Sequence, residues 1–352
     1  MSVFSFGVRY SLIDIRYSTY QHSIVKAILI SQPGGADQLQ FGEYETPMPA
    51  ANELLVKVAA TAVNRADVLQ REGKYPPPPG ASPILGLEMS GEVVEVGNEV
   101  TRHSVGDRVF GLLPGGGYAE YVTIHEQMAL PVPDRLKLTE AAAIPEVFLT
   151  AYQALHWLGK LQSGERVLIH AGASGVGTAA IQLAKAMRAG DIIVTASAAK
   201  HDTCRQLGAH YAIDYQSEDF REEVRDITDG EGVDLVLDFI AAPYFERNIS
   251  VLRTDGRMVM LALLGGAHVD HFNLGNLLKK RLQIISSTLR SRGLDYQINL
   301  TRAFAEFALS RFTDGSLRPV VDRVYDWKEV RQAHERMEAN QNIGKLVLEV
   351  IS

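Results

Sequence analysis

Cysteine is nearly absent from this chain of 352 residues, where Cys204 is the single example. One cysteine forms no internal disulfide and builds no four-cysteine zinc site, so a disulfide scaffold is excluded and a reducing compartment is permitted. Long apolar runs are missing too: no stretch reaches the roughly 18 uninterrupted apolar residues of a membrane-spanning helix. Positive charge is not in excess, with 35 Lys and Arg against 42 Asp and Glu and a net charge of -7. That balance, without a basic stripe, argues against nucleic acid or an anionic membrane as the main partner. Repeats and low-complexity tracts are lacking beyond four prolines at 76–79. What is there is ordinary for a globular protein, 46% hydrophobic and 22% charged, which excludes a disordered tail or a fibrous repeat. The length exceeds what one core usually fills, so two domains and a soluble, cytoplasmic protein are expected.

Residues 1–23 differ from the rest, with Arg9 and Arg16 against one acid, Asp14, among serines and aromatics. Transit peptides share that bias. Ile13, Asp14 and Ile15 interrupt an amphipathic face, however, and no small-residue cleavage pattern follows an apolar run. Residues 1–25 therefore read as a disordered extension, with an organelle address as the alternative. Import of a reporter carrying them separates the two.

From Lys26 the chain reads as short β segments, at 26–30, 54–60, 92–96, 108–112 and 120–124, divided by Gly and Pro turns. Such a pattern suggests a folded, partly closed β domain. After Pro145 strands and helices alternate. Apolar strands are expected at 166–171, 192–196, 211–215, 233–239, 257–263 and 282–289, with helices at 175–187 and 200–207. Continuous apolar strands alternating with helices imply a parallel sheet, and six of them fit a doubly wound, dinucleotide-binding one. The tail returns to helix at 296–309 and ends on strand-like segments at 320–325 and 345–351, expected to rejoin the β domain.

The strongest chemical signal is His170-Ala171-Gly172-Ala173-Ser174-Gly175-Val176-Gly177, between an apolar strand and a helix. Glycines permit a tight turn and close approach to a pyrophosphate, and the helix N-terminus offers unpaired N–H groups. The spacing is Gly172-x-x-Gly175-x-Gly177 rather than G-x-G-x-x-G, and the structural alternative is a tight packing turn. At the end of the second strand an NAD site normally carries an acid for the ribose 2′-hydroxyl. Here Thr195-Ala196-Ser197-Ala198-Ala199-Lys200 holds none before Asp202. Lys200 supplies a point charge and Ser197 a hydrogen-bond donor for a 2′-phosphate, which favours NADPH. An ordinary solvated lysine in a first helical turn is the alternative.

Three segments, Ala62-Val63-Asn64-Arg65-Ala66-Asp67, residues 85–97 (LGLEMSGEVVEVG) and residues 170–177, together resemble the medium-chain dehydrogenase/reductase superfamily. Within it they are similar to the quinone oxidoreductase, or zeta-crystallin-like, family. The loop at 70–82, Leu289-Arg290-Ser291-Arg292 and Asn342-Ile343-Gly344-Lys345 resemble its tumour-suppressor-inducible branch. The resemblance spans residues 26–351. It implies a GroES-like catalytic domain at 26–148 and 290–352, an inserted six-stranded Rossmann domain at 149–289, and a cleft between them. It also implies NADPH as cofactor and a homodimer joined at sheet edges, through residues 282–289.

Zinc-dependent relatives carry a Gly-His-Glu motif and an upstream cysteine. This chain has Gly86-Leu87-Glu88, with Asn64 in the region of the cysteine, and leucine ligates no metal while Asn is a poor zinc ligand. His268 and His271 have a ligand spacing but sit in a glycine-bounded loop, and His170 reads as a core or cofactor-packing residue. No metal is expected. Alcohol–carbonyl exchange usually needs a Lewis acid, whereas a quinone spreads its new charge over two oxygens and a ring.

By resemblance Tyr75 and Asn64 are the candidate catalytic residues lining the substrate side, with structural alternatives in loop anchoring for Tyr75 and turn formation for Asn64. Asp67 stands equally as cofactor contact or turn former. Thr150 matches the nicotinamide ribose region, and Ser174, Gly175, Val176 and Gly177 the pyrophosphate loop. Ser197, Lys200 and Tyr215 match contacts to the 2′-phosphate and adenosine. Leu263, Leu264, Ser287, Thr288 and Leu289 flank the carboxamide, and Asn342 comes from the closing tail. Ser197-Ala198 departs from the Gly-Ser of near relatives, which puts one phosphate contact in doubt. The resulting expectation is an NADPH-dependent, zinc-independent reductase of quinones, ortho-quinones above all. Reduction of a conjugated alkene is one alternative; a non-enzymatic NADPH-binding protein, crystallin-like or RNA-binding, is another.

Overall fold

The computed structural model describes residues 24–350, and the sequence readings on residues 1–23 lie outside the described residues. An outer hairpin pairs β1 (Ile24–Ile30) with β2 (Leu39–Glu45). β1 starts two residues inside the expected extension, because Val25 is buried opposite Tyr44.

The catalytic sheet is built on β3 (Glu53–Val63), which leads into helix α1 (Arg65–Arg71). β4 (Glu88–Val96), β5 (Arg108–Leu112), β6 (Tyr121–His125) and β7 (Ala129–Pro131) follow. Two helices then bridge outward, α2 (Leu138–Ala141) and α3 (Pro145–Tyr152), the second running into a π turn at Gln153–Leu158. α3 starts on Pro145, whose missing N–H and fixed φ suit a first helical position.

Beyond them lies the alternating half. Its strands are β8 (Val167–Ile169), β9 (Ile192–Ala196), β10 (Tyr211–Asp214), β11 (Val233–Asp238), β12 (Leu252–Met260) and β13 (Gln283–Ser286). Between them run α4 (Gly175–Ala186), α5 (His201–Leu207), α6 (Phe220–Ile227), α7 (Ala242–Val251) and α8 (Gly275–Lys280). They form one parallel sheet in the order β10-β9-β8-β11-β12-β13. That is the doubly wound dinucleotide-binding order, which opens a crevice where the winding reverses, between β8 and β11. β12 ends at Met260, short of the expected 263. Leu264 and Gly265 instead donate their N–H groups to the carbonyls of Phe239 and Ile240, at 3.1 and 2.8 Å, so the segment leaves the sheet as a loop over the strand ends.

The tail does rejoin the catalytic sheet. After α9 (Leu294–Asp314), β14 (Val321–Asp326), α10 (Val330–Glu338) and β15 (Lys345–Glu349) complete the order β14-β15-β3-β4-β5-β7, with β6 paired to β3. One continuous core joins the two sheets, from Leu54 and Phe110 through Phe148 and Leu149 of α3 to Ile169 and Leu235. Phe312 of α9 meets Phe148 edge-on at 5.0 Å. Helices α3 and α9 are thus the packed joint that fixes the crevice.

Candidate active site

The turn after β8 is built for close approach. Ala171 takes a left-handed φ of 50°, and a Cβ on Gly177 would lie 2.3 Å from the Ala171 carbonyl oxygen. A Cβ on Gly172 would lie 2.7 Å from Cβ of Val194, so Gly172 and Gly177 serve packing of loop on helix and strand. Ser174 caps α4, its Oγ accepting the Gly177 N–H at 3.0 Å. The N–H groups of Gly175 and Val176 then stand at the helix N-terminus without an intrahelical acceptor, at the positive end of the dipole. His170 belongs to the core: fully buried, it pairs with Thr195 Oγ1 at 3.0 Å and Asn248 Oδ1 at 2.7 Å. Burial holds its pKa down.

Most of the candidate cofactor residues fall on loops after the C-terminal ends of the parallel strands. Ser174–Gly177 follow β8, Ser197 and Lys200 follow β9, and Tyr215 follows β10. Leu263 and Leu264 follow β12 and are exposed; Ser287, Thr288 and the buried Leu289 follow β13. The closing tail lies against the loop, with the Gly344 N–H donating to the Ala173 carbonyl at 2.9 Å and a parallel bridge from Gly344 to Ser174. Asn342 serves this closure, its Nδ2 donating to the Gly344 carbonyl at 2.7 Å. Lys200 is not a free surface lysine: its Nζ donates to the carbonyls of Asn340 and Asn342, both at 2.8 Å. An ammonium has three N–H donors, so one remains for a ligand at the end of β9. The open helix N-terminus, the glycine cradle and this cation fit a nicotinamide dinucleotide.

Facing them, a buried charge cluster occupies the catalytic sheet. Lys345, at the start of β15, places Nζ 2.8 Å from Glu88 Oε1, 2.5 Å from Asn64 Oδ1 and 2.9 Å from the Val63 carbonyl. Asn64 Nδ2 also donates to Glu88 Oε1 at 2.8 Å, and Glu88 Oε2 accepts the Glu146 N–H at 2.9 Å. Both ends of the Asn64 amide are therefore engaged. Asp67 is fully buried; its oxygens accept the Asn64 N–H at 2.8 Å and the Gly86 N–H at 3.1 Å. Burial raises its pKa to about 6 against the pull of those two N–H groups. This geometry favours the turn-forming reading of Asp67.

Glu146, Tyr75 and Arg290 lie close enough to act on one another's charge. Glu146 and Thr150 lie one turn apart on α3, a spacing that shares a helix face. Loss of hydration, and next the nearby Glu88 carboxylate, pushes the Glu146 carboxyl up to about 8. Tyr75 is half-buried on the proline loop, which is anchored where the N–H groups of Lys74 and Tyr75 reach the Leu69 carbonyl at 2.8 and 3.2 Å. The Arg290 guanidinium stands 5.5 Å from the centre of its ring. Lys345, Glu88, Glu146 and Arg290 carry no individual role in the sequence reading. Their signal was ionisable residues set inside apolar runs, as in Leu87-Glu88-Met89 and Gly344-Lys345-Leu346.

A two-domain oxidoreductase using a nicotinamide cofactor is the class this fold and loop define. The comparisons agree. Residues 50–134 match the family model of the alcohol dehydrogenase GroES-like domain, and residues 175–306 that of the zinc-binding dehydrogenase. The synaptic vesicle membrane protein VAT-1 homolog of Danio rerio is 30% identical over 338 residues, covering 92% of this chain and 69% of that one. A phenolphthiocerol/phthiocerol polyketide synthase protein of Mycobacterium tuberculosis is 32% identical over 346 residues. The match covers 97% of this chain but spans only 15% of that much longer protein. Among solved structures, a quinone oxidoreductase of Pseudomonas syringae pv. Tomato superposes with a TM-score of 0.83 at 29% identity, over 93% of this chain and 100% of its own. The CurK enoyl reductase does so with a TM-score of 0.82 at 31% identity, over 93% and 99%.

The chain belongs to the medium-chain dehydrogenase/reductases, in their zinc-free, quinone-oxidoreductase-like family. Its residues do not fit a catalytic zinc. Leu87 holds the ligand position, and the Lys345 ammonium already sits between Glu88 and Asn64. Among the described residues no three His, Cys, Asp or Glu side chains gather as a metal site, and no helix is long and apolar enough to cross a membrane.

Proposed function

We propose that this chain is an NADPH-dependent, zinc-independent reductase of quinones, ortho-quinones above all, working in the crevice between its two sheets. The observation that carries the reading is the Arg290 guanidinium set over the Tyr75 ring, 5.5 Å from its centre. A guanidinium beside an aromatic ring suits a planar acceptor that gains negative charge on reduction. When bound, the reduced nicotinamide supplies a hydride equivalent. The protein's part is to hold donor and acceptor in register and exclude water, and Glu146 holds the proton that completes reduction. NADPH is favoured over NADH by the absence of an acid from Ala196 to Lys200 and by the third N–H of Lys200. NADPH oxidation with 1,2-naphthoquinone in the presence of a chelator tests the reading, with a Tyr75→Phe variant alongside. Rapid, chelator-resistant turnover supports it, and loss in the variant puts the tyrosine hydroxyl at the acceptor. Tight NADPH binding without turnover overturns it.

Reduction of a conjugated alkene is the second reading, favoured by Glu146, since such a reaction needs a proton donor near the α-carbon. Crotonyl-CoA in the same assay separates the two. We also propose a homodimer. β13 is an edge strand beside the exposed side chains of Leu274 and Leu278, 70% and 81% accessible. An open edge next to an apolar patch is a pairing surface.

A further inference from the structure

Arg290 follows β13 on the parallel-sheet side of the crevice, yet its polar contacts are with the other side. Its Nε and Nη2 donate to the Pro114 carbonyl at 2.9 and 2.7 Å, and its guanidinium lies over Tyr75. The residue is only 7% exposed. Its Nη1 is buried with no hydrogen-bond partner. Buried guanidinium N–H groups are normally satisfied, so an orphaned one marks a place for an acceptor that arrives with a ligand. The ionisable groups facing Arg290 are Asp67, Tyr75 and Glu146, none of them hydrogen-bonded to it. Asp67 has both oxygens engaged elsewhere. Nη1 is therefore left without an acceptor from the protein, while the charge is balanced only at a distance, by Asp67, Tyr75 and Glu146. The cofactor loop and Lys200, in contrast, are closed by residues 340–345.

We propose that Arg290 Nη1 holds the carbonyl oxygen of the acceptor and takes up the negative charge that develops there. This deepens the reductase reading and rests on it. As a hydride adds to the acceptor, the electron pair of its conjugated carbonyl moves onto the oxygen, which Arg290 stabilises as an anion. One proton, from the Glu146 carboxyl and replaced from solvent, neutralises that oxygen, and the ring re-aromatises to the hydroquinone as the new C–H loses its proton to solvent and the second carbonyl oxygen gains one. The acceptor gains two electrons and two hydrogens, and the cofactor is oxidised by one hydride. Arg290 thus selects acceptors whose reduction places charge on an oxygen, over isolated alkenes, which offer none.

The test uses 4-nitrophenol, whose phenolate mimics the oxyanion and whose absorbance reports its protonation. The full chain is titrated with pH in the presence of the probe, as wild type, Arg290→Met and Arg290→Lys. The expected result is a preference for the bound phenolate of about tenfold or more in wild type, lost in Arg290→Met and partly restored in Arg290→Lys. In parallel kcat with 1,2-naphthoquinone falls by about 100-fold in Arg290→Met, the usual cost of one oxyanion donor, while the Kd for NADPH stays within a factor of about two. Unchanged phenolate preference in Arg290→Met overturns the proposal. So does a loss of NADPH affinity as large as the loss of kcat, which assigns the N–H to the cofactor. Should wild type bind phenolate through Arg290 yet reduce no quinone, the quinone reading fails while the anion site stands.

Discussion

Nζ of Lys345 lies 2.8 Å from Oε1 of Glu88, with the two side chains only 3% and 0% exposed. The pair joins the first residues of β15 and β4 across β3, and the Lys345 stem lies where a Cβ on Gly175 would sit 2.9 Å from its Cδ. One buried ion pair therefore links the catalytic sheet to the first turn of α4. The ammonium fills the space between Glu88 and Asn64.

Breaking the pair from one side leaves a buried charge uncompensated. Lys345→Met should lower stability by about 3–5 kcal/mol, the usual cost of removing one partner of a buried ion pair. Adding Glu88→Gln should recover much of that loss. Thermal unfolding of the two variants checks this, and equal melting temperatures for Lys345→Met and wild type would refute it.

The raised pKa of Glu146 gives two pH dependences. With its protonated form as the proposed acid, the rate of reduction should fall as pH rises through about 8, and Glu146→Gln should be slow and lack that break. For stability, the folded state holds a proton that the unfolded chain releases near its ordinary value of ~4.3. Between that value and about 8 the folded state binds more protons, so this group's contribution falls with rising pH. Glu146→Gln should therefore gain stability relative to wild type at pH 9 and little at pH 4. Kinetics and thermal melts across that range decide both points.

Much of the fold was legible because burial on both faces leaves continuous apolar runs. Residues 192–196 and 108–112 coincide with β9 and β5, and the helix expected from Gly175 is α4. β2 escaped notice: Leu39-Gln40-Phe41-Gly42-Glu43-Tyr44-Glu45 buries only Leu39 and exposes most of the rest, so its alternation is weak. The glycine loop was legible because backbone approach requires particular residues at particular spacing. The charge cluster was not. Lys345 and Glu88 lie 257 positions apart, by subtraction of their numbers, and meet only through the β15–β3–β4 pairing. Arg290 likewise reaches Pro114 only across the folded crevice.

Ala241 stores strain at the end of β11. Its φ of 69° with ψ of -120° is a conformation that suits glycine. The Asp238 carboxylate holds it there, accepting the Ile240 N–H at 2.8 Å and the Ala241 N–H at 3.2 Å. Ala241→Gly should raise stability by about 1 kcal/mol, the relief of strain exceeding the entropy a glycine adds to the unfolded chain. Denaturant titration measures it, and a loss of stability would show that the site is unstrained.

The proposed dimer depends on an apolar surface beside the β13 edge. Leu278→Lys should shift sedimentation from dimer to monomer without lowering the melting temperature of the monomer, because an 81% exposed side chain contributes little to the fold of one chain. A wild-type protein that sediments as a monomer at micromolar concentration would rule the arrangement out.

Lys200 combines an observed contact with a proposed one, and the two can be separated. Its Nζ ties the end of β9 to the Asn340 and Asn342 carbonyls, and its third N–H is the candidate donor to a 2′-phosphate. Lys200→Ala removes both, so it should weaken NADPH and also loosen the closing tail, which affects NADH. Loss of a hydrogen bond to a charged group costs about 1.5–3 kcal/mol, so the Kd for NADPH should rise about tenfold or more beyond any rise for NADH. Lys200→Gln keeps a donor of lower reach and no charge. It should therefore preserve part of the tail contact while losing the preference for NADPH. Nucleotide fluorescence titrations with the two cofactors give the ratio directly. An equal rise for NADH and NADPH in both variants would mean that Lys200 acts only as a latch on the tail, and that discrimination between the cofactors resides elsewhere along residues 196–200.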